Sequence, residues 1–296
     1  MTPIGNMHLQ KIPIDGGFSC PNRDGTKGRG GCTFCCPTAF APAYCRTAGS
    51  ISQQLEAGKR FFATKHRGAA PAYMAYFQSY SGTYAPVETL RRRYEEALAV
   101  EGVMGLVIGT RPDCIDHDVL DLLAGLAQTH KVVVEYGVES CYDTTLQRIE
   151  RGHDYACAER AIRQTADRGI EVGIHLILGL PGETRSMILD EARIISALPI
   201  HSIKLHQLQI MRGTRMADEW LSRPQDFLRL TAETYAELVT EFVQRLRPDI
   251  VLERFAASAP SPLLLAPRWG IKPQAMQQMI EERIRHSQST VSSDGN

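Results

Sequence analysis

The sequence predicts an α/β protein, a partial TIM-like barrel of six βα units with a small C-terminal α/β extension. Two observations predict it. Six short, near-continuous apolar runs alternate with stretches whose apolar residues recur at helical spacing, the pattern of a parallel sheet covered by helices. Six units also fall short of the eight that close a barrel, so the sheet is expected to stay open.

The elements follow in order. A first strand is expected over residues 8–14, ending at the glycines before Cys20. Ser50 and Gln53 form a capping-box pair that opens a helix, with Leu55 and Phe62 on its buried side. Residues 73–77 make the second strand. Pro86 then starts a helix carrying Val87, Leu90, Tyr94, Ala97 and Leu98 at helical spacing. Residues 103–109 form the third strand, and Asp116 caps a helix whose apolar face is Val119, Leu122, Leu123 and Leu126. The fourth strand spans 131–138, followed by helices over 144–149 and 154–168. The fifth spans 170–178, and Met187, Ile188, Ile195 and Leu198 mark its helix. Residues 202–210 read as the sixth.

Beyond it lie a helix over 228–246, a strand-like run over 249–255 and a terminal helix over 274–285. Pro260, Pro262, Pro267 and Pro273 punctuate this stretch. The expected organisation is a partial barrel over 1–215, an extension packed on it over 216–286, and a flexible Ser/Gln-rich tail over 287–296.

Composition narrows the classes. Apolar residues make up 43% and charged residues 22%, as in ordinary globular domains. Lys+Arg and Asp+Glu are both 33, so there is no global attraction to nucleic acid. No charged-then-apolar leader and no long apolar run is visible, which points to a cytoplasmic protein without a membrane partner. In that setting the 8 cysteines read as metal or redox chemistry rather than disulfides.

Three of those cysteines stand out. Cys20, Cys32 and Cys35 share one glycine-rich loop after the first strand, with Phe34 just before the last. Three thiolates hold a metal centre with one coordination position open, which suggests a 4Fe–4S cluster with one iron free for a small molecule. A loop after a strand lies at the end where such folds bind ligands. Gly28, Gly30 and Gly31 suit a loop whose backbone N–H groups approach cluster sulfurs.

Further segments complete a pattern: Gly-Thr-Arg-Pro-Asp at 109–113, Gly-Val-Glu-Ser at 137–140, Arg-Gly-His-Asp at 151–154, His-Leu-Ile-Leu-Gly-Leu-Pro-Gly-Glu at 175–183 and Arg-Gly-Thr at 212–214. Together they resemble the radical S-adenosylmethionine superfamily over nearly the whole chain. The long gap between the first two cysteines is similar to the YhcC-like subgroup of unassigned substrate. That subgroup is related to the radical portion of the Elongator catalytic subunit, a tRNA-modifying enzyme. Two departures are visible. Cys36 replaces a small polar residue, and Ser81-Gly82-Thr83 stands where Gly-Gly-Glu is usual.

The resemblance implies an enzyme with two cofactors, a 4Fe–4S cluster on Cys20, Cys32 and Cys35, and S-adenosylmethionine on the open iron. Reductive cleavage would give methionine and a 5′-deoxyadenosyl radical that abstracts hydrogen from a substrate. The resemblance assigns Glu139 and Ser140 to the ribose hydroxyls and Gly179 and Gly182 to the adenine. It brings Phe34, Ser81 and Gly82 to the same cofactor. It also implies a reductant protein such as flavodoxin or ferredoxin, with RNA as one substrate class.

Plainer roles stand beside these. The three cysteines also suit a structural zinc site completed by Cys36, Cys45 or His66. Cys114, Cys141 and Cys157 read as buried small residues, and Arg111 with Asp113 as an ion pair bracing the third loop. Gly179–Gly182 also suits a plain tight turn, and Glu139 an ordinary strand-end charge. His153 reads as structural. His175 and His206 face substrate if they point inward, and otherwise are core histidines. Arg91–Arg93 read as a solvated helix face.

Overall fold

The structure, a computed structural model, describes residues 9–36, 42–47, 49–63 and 72–293. His8 and His66 lie outside the described residues. The strands are β1 (Leu9–Ile14), β2 (Ala72–Phe77), β3 (Val103–Thr110), β4 (Lys131–Glu139), β5 (Glu171–Leu178), β6 (Ser202–Gln207), β7 (Ile210–Met211), β8 (Val251–Arg254) and β9 (Leu264–Ala266). The helices are α1 (Ala43–Thr47), α2 (Ile51–Ala63), α3 (Val87–Leu98), α4 (His117–Ala127), α5 (Asp143–Arg148), α6 (Tyr155–Ala166), α7 (Arg185–Ser196), α8 (Arg215–Ser222), α9 (Ala232–Arg245) and α10 (Pro273–Ser293). Seven strands form one sheet in the order β1-β2-β3-β4-β5-β6-β8, and β7 and β9 form a separate pair. The pairs β1–β2, β2–β3, β3–β4 and β6–β8 are parallel.

The chain divides into two compact units. One comprises Met1–Gly31, Pro37–Gly137 and Ala156–Gly173; the other comprises Cys32–Cys36, Val138–Tyr155 and Ile174–Asn296. In the first, alternate strand residues separate two faces. Ile12, Phe77, Leu106 and Ile108 are buried with Leu55 of α2 and Leu90 and Tyr94 of α3. Phe77 meets Tyr94 edge-on at 5.1 Å. The residues between them, Met74, Tyr76, Val107 and Val133, make a second apolar layer with Leu9. Lys11 of β1 reaches buried Glu135 of β4 at 2.9 Å.

Local signals act as expected at several helix starts. Gln53 N donates to Ser50 Oγ at 3.1 Å and Ser50 N donates to Gln53 Oε1 at 3.2 Å, a reciprocal capping box. Val119 N donates to Asp116 Oδ1 at 2.9 Å. Arg93 departs from expectation. It is not a purely solvated charge, because its guanidinium lies 4.8 Å from the Phe18 ring centre and donates to Gly16 O.

In the second unit the expected sixth strand is broken. After β6, Leu208 N donates to Leu178 O at 2.9 Å, and the Gln207 side chain pairs with both backbone groups of Ala257 at 2.8 Å. The chain therefore leaves the sheet, and β7 pairs antiparallel with β9. The C-terminal stretch is more than a packed extension, since β8 joins β6 as a seventh strand. Helix α8, which periodicity did not reveal, is capped by Thr214. Helix α10 continues to Ser293, into the stretch expected to be a tail; residues 294–296 lie outside the described residues. Among the described residues no helix is long and apolar enough to cross a membrane.

Close backbone approach makes one glycine essential. A Cβ on Gly105 would lie 2.0 Å from Lys131 O across the β3–β4 pair. Gly105→Ala is expected to cost about 1–3 kcal/mol, as overpacked sites do. A urea-denaturation midpoint equal to wild type would contradict that packing.

Candidate functional site

The first unit holds Cys20 and most of its loop. Arg23 N and Asp24 N donate to Cys20 O at 2.8 and 3.1 Å, while Lys27 N and Gly28 N both donate to Pro21 O. Gly31 N donates to Asn22 O at 2.8 Å. The amides of Gly28 and Gly31 thus help to close the loop on itself. Steric fit explains Gly28, since a Cβ there would sit 2.6 Å from Asn22 Oδ1.

Neighbouring strand ends fix this loop. Ser81 N donates to Ser19 O at 3.3 Å, and Gly82 N donates to Gly109 O at 2.9 Å. A Cβ at Gly82 would meet Gly109 O at 2.8 Å. Lys27 Nζ lies 2.6 Å from Asp113 Oδ2. The Arg111 guanidinium donates to both Asp113 oxygens at 2.9 Å. Arg111 and Asp113 therefore brace the third loop, and Lys27 extends that brace to the cysteine loop.

The second unit holds Cys32 and Cys35. Thr33 N donates to Ile149 O and Met216 N donates to Thr33 O, both at 3.0 Å; Cys35 N closes a turn on Cys32 O at 3.0 Å. Phe34 packs against the apolar cluster containing Leu146, Ile149, Leu180 and Met216. Arg151, only 6% exposed, donates through Nη1 to Cys32 Sγ at 3.6 Å. Its Nη2 lies 3.4 Å from Glu139 Oε1. Glu139 ends β4 with φ of 70°, a left-handed conformation that costs a non-glycine residue about 1–3 kcal/mol and clusters at functional sites.

Ser140 is turned elsewhere. It is fully buried, donates to Glu183 Oε1 at 2.6 Å and accepts from Tyr142 N at 3.1 Å. Cys141 N donates to Glu191 Oε1 at 2.7 Å. Glu183 and Glu191 are both buried. Burial pushes the Glu183 carboxyl up to about 7. Burial, then the neighbouring Glu183 charge, raises Glu191 well above the carboxylate range. Glu183 ends the Gly179–Gly182 turn, where both glycines have positive φ, 91° and 89°. Gly182 N donates to Asp226 O at 2.8 Å.

The remaining candidates sort by environment. Burial pushes the thiols of Cys45 and Cys114 up to about 11 and about 12, and raises Cys141 well above the ordinary value. Such thiols are poor metal ligands, which need the thiolate. Cys20 and Cys35 are half-buried, and Cys32, on the turn it shares with Cys35, has a guanidinium beside its sulfur, a setting whose chemistry suits thiolate ligands; among the described residues no group of three or more His, Cys, Asp or Glu side chains is gathered to hold a metal ion. His175 and His206 lie side by side with ring centres 5.3 Å apart. His153 is half-buried and contacts Asp154 O at 3.1 Å. Sequence reasoning missed Arg151 as a site residue and missed the Glu183–Glu191 pair. Arg151 was visible only as part of a matching segment, and Glu191 carried no signal inside an ordinary helical pattern.

The sequence and the fold have counterparts among known proteins. Residues 24–195 match the family model of the Radical SAM superfamily. The chain belongs to that superfamily. Residues 200–286 match the Radical_SAM C-terminal domain. Protein YhcC of Escherichia coli (strain K12) is 40% identical over 262 residues, covering 88% of this chain and 82% of its own length. Elongator complex protein 3 of Schizosaccharomyces pombe is 24% identical over 186 residues, covering 62% of this chain and 32% of its own. The solved structure of Elp3 from Methanocaldococcus infernus superposes with a TM-score of 0.71 at 15% identity, covering 94% of this chain and 63% of that one. The chain therefore spans less than two thirds of that structure, whose likeness shows the fold, the expected partial TIM-like α/β barrel class. As a radical SAM protein, this one uses a 4Fe–4S cluster and S-adenosylmethionine.

The buried Glu183 carboxyl predicts a pH dependence of stability. Below about pH 4.5, its ordinary value, folded and unfolded chains both hold the proton. Between there and about 7 only the unfolded chain ionises at Glu183, so the stability that this group contributes falls by about 1.4 kcal/mol per pH unit and then levels off, while buried Glu191 adds a fall of its own. Glu183→Gln should flatten that stretch in urea titrations run at successive pH values. An unchanged slope would show that Glu183 does not hold a proton there.

Proposed function

We propose that the chain is a radical SAM enzyme in which Cys20, Cys32 and Cys35 hold three irons and Glu139 receives the ribose of S-adenosylmethionine. One observation carries this reading: a single buried guanidinium, Arg151, touches both Cys32 and Glu139. A candidate ligand sulfur and a candidate ribose carboxylate thereby share one small space within one unit. When bound, the cofactors supply reductive cleavage of the sulfonium and a hydrogen-abstracting 5′-deoxyadenosyl radical.

The protein's own residues bind and orient. Glu139 offers two oxygens to vicinal hydroxyls, and its carboxylate is aimed by Arg151 and by its left-handed backbone. Gly179 and Gly182 open a turn against which the adenine lies. Ser140 acts behind the site rather than in it, tying the residue after Glu139 to the Glu183 end of that turn. Phe34 anchors the cysteine turn in the apolar cluster and gives the nucleotide an aromatic wall. Ser81 and Gly82 support the cofactor through the Cys20 loop, to which Ser81 is bonded.

The electron comes from a reductant protein of the flavodoxin or ferredoxin class in a cytoplasmic setting, where thiols stay reduced. The likeness to the Elongator protein supports RNA as a narrower substrate class. A tRNA substrate would bind with affinity that falls steeply with salt; tRNA binding indifferent to salt would count against it.

Anaerobic reconstitution with iron and sulfide should give brown protein that, once reduced with dithionite, converts S-adenosylmethionine to 5′-deoxyadenosine. Cys20→Ala, Cys32→Ala and Cys35→Ala should each lose the visible absorption, whereas Cys45→Ala and Cys114→Ala should keep it. A colourless zinc-loaded wild type, or a fully loaded cluster that forms no 5′-deoxyadenosine, would overturn the assignment.

A further inference from the structure

Positive charge in the second unit is unevenly committed. Arg148, Arg215 and Arg247 each sit against a carboxylate, as do most of its other cations. Arg212, Arg229, Arg254, Arg268 and Lys272 have no acidic partner among the described residues. The sequence explains the difference. No Asp or Glu occurs over residues 192–217 or 254–280, and the flanking Asp226 and Glu253 are taken up by Arg148 and Lys204.

Printed contacts bring these cations to one place. Met211 pairs with Leu264, and Arg212 N donates to Leu263 O at 2.8 Å. The Arg268 guanidinium donates twice to Leu264 O, at 3.2 and 2.9 Å, which fixes its orientation. Trp269 Nε1 donates to Leu230 O at 2.9 Å, which sets Arg229 near Arg268. The Trp269 ring lies 5.1 Å from that of Tyr235, whose hydroxyl donates to Phe255 O, next along the chain from Arg254. Arg212, Arg229, Arg268 and Lys272 are exposed. The patch is built on chain that follows β6 and β8, at the carboxyl ends of strands, where such folds bind ligands. Four residues beyond Arg212, Met216 N donates to Thr33 O between Cys32 and Cys35, so the patch adjoins the cysteine turn.

We infer that this cationic surface binds the phosphate backbone of an RNA strand and leads it toward the cysteine turn. A chain with equal numbers of acidic and basic residues exerts no global pull on a polyanion, so attraction depends on a local excess such as this one. The five cations come from four separate segments rather than from one loop, which fits an extended anion better than a single phosphate. Four of them are arginines, whose planar fork matches phosphate oxygens. An aromatic side chain, Trp269, lies among them, as on surfaces that bind nucleic acid. The inference rests on the RNA reading above and supplies its contact residues.

The test is binding of fluorescent tRNA and poly(U) to the reconstituted full chain, read by anisotropy over a salt series, with polyglutamate as an acidic comparison. Wild type should bind both RNAs with an affinity that falls steeply as salt rises. A variant combining Arg229→Gln, Arg268→Gln and Lys272→Gln should bind roughly tenfold more weakly, with a salt slope smaller by about 2. Its yield of 5′-deoxyadenosine without RNA should stay at the wild-type level. A second variant, Arg46→Gln with Arg60→Gln and Arg160→Gln, removes equal charge from exposed residues of the first unit and should bind like wild type. Equal losses in the two variants, or no RNA binding by wild type, would overturn the inference. So would polyglutamate binding more tightly than RNA, which would make the surface a dock for an acidic protein. If the first variant has a lowered urea midpoint, Arg268→Gln alone carries the test, with a slope smaller by about 0.7–0.9. Wild type that binds RNA as expected but takes no cluster or forms no 5′-deoxyadenosine would leave the surface standing and overturn the radical assignment instead.

Discussion

Two backbone hydrogen bonds at Thr33 organise the second unit's share of the site. Its N–H reaches the end of α5 at Ile149, and its carbonyl receives the N–H of Met216 at the start of α8. A short loop stretch with both polar backbone groups satisfied has little freedom left. Cys32 and Cys35 flank that fixed point and face each other across a tight turn. Phe34 sinks into the apolar cluster between them. With Cys32 held in this way, the Arg151 guanidinium meets its sulfur, and through Arg151 the placement extends to Glu139.

Behind this first layer lies an arrangement that lowers stability. Glu183 and Glu191 are buried close enough to oppose each other's ionisation, and an oxygen of each has no hydrogen-bond partner. Burying such groups is unfavourable. What the pair provides is position: Glu183 holds Ser140 and Glu191 holds the amide of Cys141. The β4 end and the turn after β5 are thereby tied by side chains, a role that a looser apolar contact would not fill.

Much of the architecture was legible because it rests on local rules. The capping pair Ser50–Gln53 and the cap at Asp116 acted as their sequence signals say, and continuous apolar runs marked the parallel strands. The break after β6 was not legible, because it depends on Gln207 finding the backbone of Ala257 far along the chain. Helix α8 was hidden because it is only eight residues long and follows directly on a glycine turn. In the site, residue types that could carry chemistry, such as the cysteines and Glu139, could be picked out as candidates. The aim of a side chain could not. Ser140 carries the right hydroxyl but points into the protein, and Arg93 occupies a charged run yet lies over Phe18.

Strand β8 has an implication for how such proteins diversify. The two stretches recognised as family modules meet between residues 195 and 200, yet the later one contributes β6 and β8 to the common sheet. Removing it would expose a row of unpaired N–H and C=O groups along β5 and invite self-association. The two stretches match separate family models, yet their strands share one sheet. Exchange of C-terminal modules between relatives can succeed only when the incoming piece brings its own pair of strands in matching register.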